Sequence, residues 1–442
     1  MVGPELVRRA CPRGSALARQ VLLASLLAQP VLHMLTKITL FRGFLYLAML
    51  LPALGLGLVA FQRERIPLSR QVSFLLLALY LSTLLAATAL GTDAKAAASV
   101  LATKYSAAAA FFLAWLGTRE TRDIRAILRI VLAMGCLSAI YSIWQQSVGF
   151  PEFETSWAWS IGNVHGVDIF LDEARRSTGI TIYSGTNSLL LTQCLLLLVA
   201  LPIGAPGSRL QRIAWMLAFG LALLFSQTRG IWLGAFAGIL SILVVKRFLA
   251  GKSLLGLLPI LALQSLLIFV AYLASPVVQA RIHSFRGMFT DPTHPFLFRI
   301  LSTWIPTLRS HPPNLLGFGP GTVQVADNMY LQTLTSVGLL GLAAFLALHA
   351  FLWTTSFRRA RSSMASDQWT AAFHTGFSGI VVAQLVAYIT GDYLLATPAN
   401  LVFWALAGAA TARLGGFTPG SLSTERSPSP TSPPQGNPRP EA

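Results

Sequence analysis

Arg176, Arg229 and Arg299, together with the acid Asp327, are the residues of this chain whose types and settings suit chemistry. Each stands beside a long apolar run. A guanidinium is a planar fork of N–H donors that keeps its charge at any relevant pH and grips phosphate oxygens in pairs. Three of them describe an anion site, and fixed cations of this kind stabilise negative charge that develops on a leaving group. Asp327 opens the run that starts Asn328-Met329-Tyr330. Its carboxylate has two readings. It caps the free N–H groups of a helix start, or it draws the proton from a hydroxyl nucleophile.

A second tier surrounds these four. Arg175 adjoins Arg176, Asn328 and Tyr330 follow the acid, and His311 lies upstream of it, all polar candidates for contact with a ligand. His165 ends Gly162-Asn-Val-His165, close to Asp168, Asp172 and Glu173, a polar group suited to sugar hydroxyls. The outer histidines His165, His283, His294 and His311 are scattered without the spacing of a zinc site, so no metal is expected. Gly317-Phe-Gly-Pro-Gly321 follows no strand and is interrupted by Pro320, which makes it a turn rather than a dinucleotide fingerprint. Arg281 and Arg286 fall in VVQARIHSFRGMF, the pattern of an amphipathic helix lying on a bilayer.

The elements that must position these groups are membrane helices. The chain has 442 residues, 54% hydrophobic and 11% charged, a composition that suits lipid as solvent. About 20 apolar residues cross the hydrocarbon core. Such runs recur at 17–36, 43–61, 72–90, 96–116, 124–148, 186–204, 210–227, 230–245, 253–274, 328–353, 370–390 and 393–412. The expected class is all-α, with about twelve spans. The first run carries Arg19, Pro30 and His33 and has a re-entrant alternative, which would leave eleven.

Lysine and arginine collect in every second connection, including Arg63–Arg70, Arg119–Arg129, Lys246–Lys252 and Arg358–Arg361, which puts these loops and both termini on the cytoplasmic side. That topology accounts for the net charge of +17 and removes the reason to expect nucleic acid. The resulting organisation is a cytoplasmic N-terminus (1–16), membrane helices (17–148), an outer loop (149–185), membrane helices (186–274), a large outer loop (275–327), C-terminal membrane helices (328–412) and a disordered cytoplasmic tail (413–442) rich in Pro, Ser and Gly. Three cysteines provide no disulfide framework. Gly230, Gly234 and Gly238 give one smooth helix face on which a neighbour can pack closely.

In order along the chain, Arg176-Ser-Thr-Gly179, Ser226-Gln-Thr-Arg229-Gly230, Arg299 with Trp304, LLGFGPG, Asp327-Asn328-Met-Tyr330 and Gly338-Leu-Leu-Gly341 resemble the motifs of the O-antigen ligase and O-antigen polymerase superfamily of bacterial envelope proteins. The resemblance covers roughly residues 170–350. It implies a GT-C-like fold in the inner membrane and periplasmic placement of the two long loops. It also implies transfer of glycan from an undecaprenyl-diphosphate carrier without nucleotide sugar, metal or other cofactor. A flippase, a chain-length regulator and membrane lipids would be the partners.

Where the ligases carry histidine before the asparagine, this chain has Asp327, as many polymerases do. The expectation is therefore a polymerase of lipid-linked repeat units, inverting at the anomeric carbon. Arg176, Arg229 and Arg299 would clamp the diphosphate, and Asp327 would act with Arg229 in catalysis. A ligase acting on lipid A core or protein, and a transporter or lipid flippase, are the alternatives.

Overall fold

A computed structural model describes residues 12–39, 47, 50–56, 72–91, 94–165, 170–171, 174–202, 209–253, 279, 303–320, 328–391 and 398–412. Among them the chain is helical except for β1 (Phe170–Leu171) and β2 (Ala174–Arg175), which pair antiparallel with Phe170 opposite Arg175. The helices are α1 (Pro12–Thr39), α2 (Val72–Leu90), α3 (Ala94–Gly117), α4 (Thr121–Ser147), α5 (Glu152–His165), α6 (Ser184–Ala200), α7 (Arg209–Phe225), α8 (Arg229–Leu249), α9 (Ile305–Ser310), α10 (Met329–Ser363), α11 (Gln368–Ala387) and α12 (Ala399–Thr411).

Seven of these, α1, α2, α3, α4, α8, α10 and α11, are long and apolar enough to cross a membrane. The chain is thus helical and of multi-pass type. Helices α6, α7 and α12 also fall on expected spans but are shorter, at 17, 17 and 13 residues. Expected spans 43–61 and 253–274 lie mostly outside the described residues. The first run is one continuous helix of 28 residues that carries Pro30 without ending. The expected loop 149–185 contains a helix, α5.

Helices α6 and α12 form the hub. Most of α6 and all of α12 are buried, and α12 crosses α3 where Gly408 lies against the Phe111 carbonyl. The glycine face of α8 meets α11. A Cβ on Gly238 would stand 2.8 Å from the Gly379 carbonyl oxygen, and Gly234 lies against the Ala383 carbonyl. Backbones approach this closely only where side chains are absent or small, and in lipid such packing is a main source of helix association.

At one end of the bundle, cations close helix ends. Arg359 donates to the carbonyls of Ala410 (2.7 Å), Thr411 (3.0 Å) and Ala412 (2.5 Å) at the end of α12. Lys246 donates to Val199 (2.8 Å) and Arg212 to Pro202 (2.8 Å) at the end of α6. The last carbonyls of a helix have no partner within it and carry partial negative charge, so a cation there is favourable twice over. Arg19 pairs with Asp123 at the same end, and Asp367 caps α11 while accepting from Thr121 (2.7 Å). Burial works against the Asp367 carboxylate, but hydrogen bonds from Thr121, Thr370 and the Trp369 N–H outweigh it and hold its pKa below the ordinary value.

Candidate functional site

The opposite end gathers the segments that carry the candidate residues. Arg176 begins the stretch 176–183, which links β2 to α6 and is fixed by three elements at once. Lys37, in the last turn of α1, is fully buried; its ammonium donates to Glu154 Oε1 (2.5 Å), Thr178 Oγ1 (2.9 Å) and the Gly179 carbonyl (2.9 Å). Gln145 of α4 works from the other side. Its Oε1 accepts from the N–H groups of Thr178 and Gly179, both at 3.0 Å, and its Nε2 donates to Glu154 Oε2 (2.6 Å). The three donors of the ammonium are all used, which is the condition for a buried charge to persist.

Gly179 shows why this segment needs its sequence. Its φ of +53° is in the left-handed region, and a Cβ there would collide with Ser138 Oγ and Asn187 Oδ1. Those two atoms are 2.5 Å apart in a hydrogen bond of their own, and Ser138 Oγ also accepts from the Ile180 N–H (3.3 Å). Glycine is the residue that tolerates both conditions.

Arg229 is the first residue of α8, after the turn Ser226-Gln227-Thr228. Gln227 takes φ +53°, an uncommon conformation for a non-glycine residue and a frequent companion of functional loops. One bond fastens the chain just before this turn to the Arg176 segment, and two fasten the turn to α6, which follows that segment. The Ser177 N–H donates to the Phe225 carbonyl (3.1 Å), and Ser188 Oγ of α6 bonds Ser226 Oγ (2.5 Å) and Thr228 Oγ1 (3.2 Å). The two arginines therefore rise from neighbouring strands of chain, and both are half-buried.

The start of α10 joins the same end through α11. The Met329 N–H donates to the Tyr388 carbonyl (3.0 Å), Asn328 Nδ2 to the Ile389 carbonyl (3.3 Å), and the Tyr330 hydroxyl to the Leu385 carbonyl (2.5 Å). The next residue, Thr390, lies against Gly230. A continuous path of contacts thus runs from Arg176 through Arg229 to Asn328. The N-cap of α10 is Asn328, whose side chain accepts from the Leu331 N–H (2.9 Å). The capping task weighed for Asp327 is done by its neighbour.

The turn at 317–320 also has a structural task. Helix α10 breaks at Gly338 (φ 79°, ψ −173°), which frees backbone groups inside a candidate span. Phe318 and Gly319 donate to the carbonyls of Thr335 (2.8 Å) and Ser336 (3.1 Å), while Leu339 and Leu340 donate to those of Asn314 (2.9 Å) and Leu315 (3.2 Å). Irregular backbone at membrane depth is stable only when its polar groups are met in this way. His311 belongs to this inserted segment, bonded to Ser310 and edge-on to Phe318 at 5.1 Å.

Arg299 and Asp327 lie outside the described residues, as do the side chains of Arg175 and His165; the backbone of Arg175 is in β2 and that of His165 ends α5. Sequence reading passed over Lys37, Gln145 and Glu154. The available signal was His33 and Lys37 four residues apart in an apolar run, one helix face carrying two polar groups. Among the described residues, no group of three or more His, Cys, Asp or Glu stands ready for a metal. No known protein family matches the chain, and no curated protein does.

Proposed function

We propose that this protein is a multi-pass membrane glycosyltransferase that polymerises polyprenyl-diphosphate-linked oligosaccharide units at the outer face of the cytoplasmic membrane, with a twelve-span GT-C-like architecture. The observation that carries this reading is the hydrogen-bonded seam between the Arg176 segment and the Arg229 turn. It fastens two half-buried guanidinium groups to one end of the bundle, where the arginine-bearing motifs of the O-antigen polymerases would grip a diphosphate. Asn328, on the same path, supplies the N-cap of α10 beside Asp327 in the chain.

In the proposed reaction a sugar hydroxyl of the acceptor attacks the anomeric carbon of the donor. The new C–O bond forms as the bond from that carbon to the diphosphate breaks, with inversion. The electron pair leaves on the diphosphate, where Arg176, Arg229 and Arg299 meet the developing charge. Asp327 accepts the hydroxyl proton, a contribution of about a hundred- to ten-thousand-fold in comparable systems.

The test is reconstitution with a defined undecaprenyl-diphosphate oligosaccharide. Lengthened lipid-linked glycan that disappears in Arg229→Ala supports the polymerase. Transfer only to lipid A core or protein would make it a ligase with the same clamp. The break in α10 favours one further reading, a transporter, since transporters bind substrate at interrupted helices. Movement of the lipid-linked glycan across liposomes with no covalent product would establish that reading instead.

A further inference from the structure

A cavity of about 60 Å³ lies between α2, α3 and the first turns of α10, beneath Pro320. It has room for roughly four to six waters or one small ion. Its polar lining is Tyr80, Lys104, Gln332, Thr333 and Ser336, and none of the described residues that line it is acidic.

Three observations there concern one kind of ligand. Lys104 is 8% exposed in the candidate span Val100–Gly117, and a buried ionisable side chain within a span is a functional-site candidate. It has contacts of its own within the protein, but an ammonium carries three donors and a ligand needs only one. Thr333 is 2% exposed, and its hydroxyl has no hydrogen-bond partner. Such a group costs about 1–3 kcal/mol while unpaired. Ser336 Oγ accepts from Gln332 Nε2 (2.8 Å), which keeps its own proton for donation into the cavity.

We propose that this cavity binds one small anionic group of the phosphate class, held by Lys104, Thr333 and Ser336, and that it is separate from the arginine seam. An oxyanion satisfies the Thr333 hydroxyl and meets the Lys104 charge together. An alkyl chain would do neither.

The test uses the full chain in phosphatidylcholine nanodiscs, with equilibrium binding of radiolabelled inorganic phosphate and native mass spectrometry after addition of phosphatidylglycerol. One anion per protein is expected. Loss of one hydrogen bond to a charged group should weaken it by about tenfold or more in Thr333→Val, and Lys104→Met should abolish it. Thr333→Val preserves shape, so the site remains testable if Lys104→Met fails to fold.

Binding of free phosphate identifies a soluble ligand, whereas retention of phosphatidylglycerol without phosphate binding identifies a lipid headgroup; both support the site. Absence of both anions overturns it. So does binding that survives Thr333→Val and Lys104→Met but is lost in Arg176→Ala/Arg229→Ala. Failure to make glycan while the anion is retained would count against the polymerase and leave this site standing.

Discussion

The backbone N–H of Ser177 donates to the carbonyl of Phe225 across 3.1 Å. Two segments separated by a complete pair of helices are thereby laid edge to edge, with Arg176 one residue from one side of the bond and Arg229 four residues from the other. Diphosphate binding by two guanidinium groups needs this kind of fixed separation, because each long side chain then loses less freedom when it closes on an oxygen.

Arg176→Ala and Arg229→Ala are each expected to remove glycan elongation by at least about a hundredfold, the scale of losing one charge-stabilising donor. Protein abundance should stay unchanged. Chain length on gels and immunoblots of membranes provide the two readings. Normal polymer in either variant removes that arginine from the clamp.

Asp327→Asn and Asn328→Ala should separate chemistry from capping. Asn328 accepts the Leu331 N–H, so Asn328→Ala is expected to lower stability by about 0.5–2 kcal/mol. Asp327→Asn should leave thermal stability unchanged and abolish elongation. An active Asp327→Asn enzyme would exclude the proposed base.

Lys37→Met leaves the buried Glu154 carboxyl without its cation. The expected loss is about 3–5 kcal/mol, seen as a lower melting temperature in detergent. The double variant Lys37→Met/Glu154→Gln should be more stable than Lys37→Met alone. If the single variant melts like the wild type, the pair is not the anchor of the 176–179 segment.

Gly338→Ala places a Cβ against Gly317 and Leu315 in a backbone conformation available almost only to glycine. The expected cost is about 1–3 kcal/mol. Gly220→Ala in α7 is the contrast, since nothing lies within 4 Å of a Cβ there. It should be neutral or stabilise by up to about 1 kcal/mol. Equal melting temperatures in the two variants would show that the break in α10 bears no strain.

Asp367 supplies a pH dependence. Its folded pKa is lowered, so its contribution is present above the unfolded carboxylate value and disappears as pH falls through the folded value. Melting temperature should therefore begin to drop as pH falls to the ordinary carboxylate range near about 4 and keep dropping below it. Asp367→Asn should flatten that part of the curve. An unchanged profile would assign the acid sensitivity to other carboxylates.

Helix positions were legible in the sequence because lipid imposes a length and a composition that a single run of residues reveals. The glycine face of α8 was legible for the same local reason. Lys37 was not. A lysine near the end of an apolar run reads as a boundary charge, and its partners Glu154 and Thr178 are 117 and 141 residues away. Nothing in the spacing announces such a pairing. The turn at 317–320 could be read as a turn, but its insertion at Gly338 depends on four backbone bonds that no side-chain pattern encodes. For Arg176 and Arg229, motif order suggested a shared side of the membrane, whereas their adjacency rests on Ser177, Ser188 and Ser226, residues too common to stand out.

Helix α6 has 17 residues and is therefore about 25 Å long, some 5 Å less than a hydrocarbon layer of about 30 Å. Enclosed by other helices, it puts no strain on the surrounding lipid through this shortfall. At its Ser184 end the chain leads back into the Arg176 segment, which is buried from Ser177 to Ile182. That short segment therefore finds its backbone partners in protein, through Gln145 and Ser138, rather than in lipid.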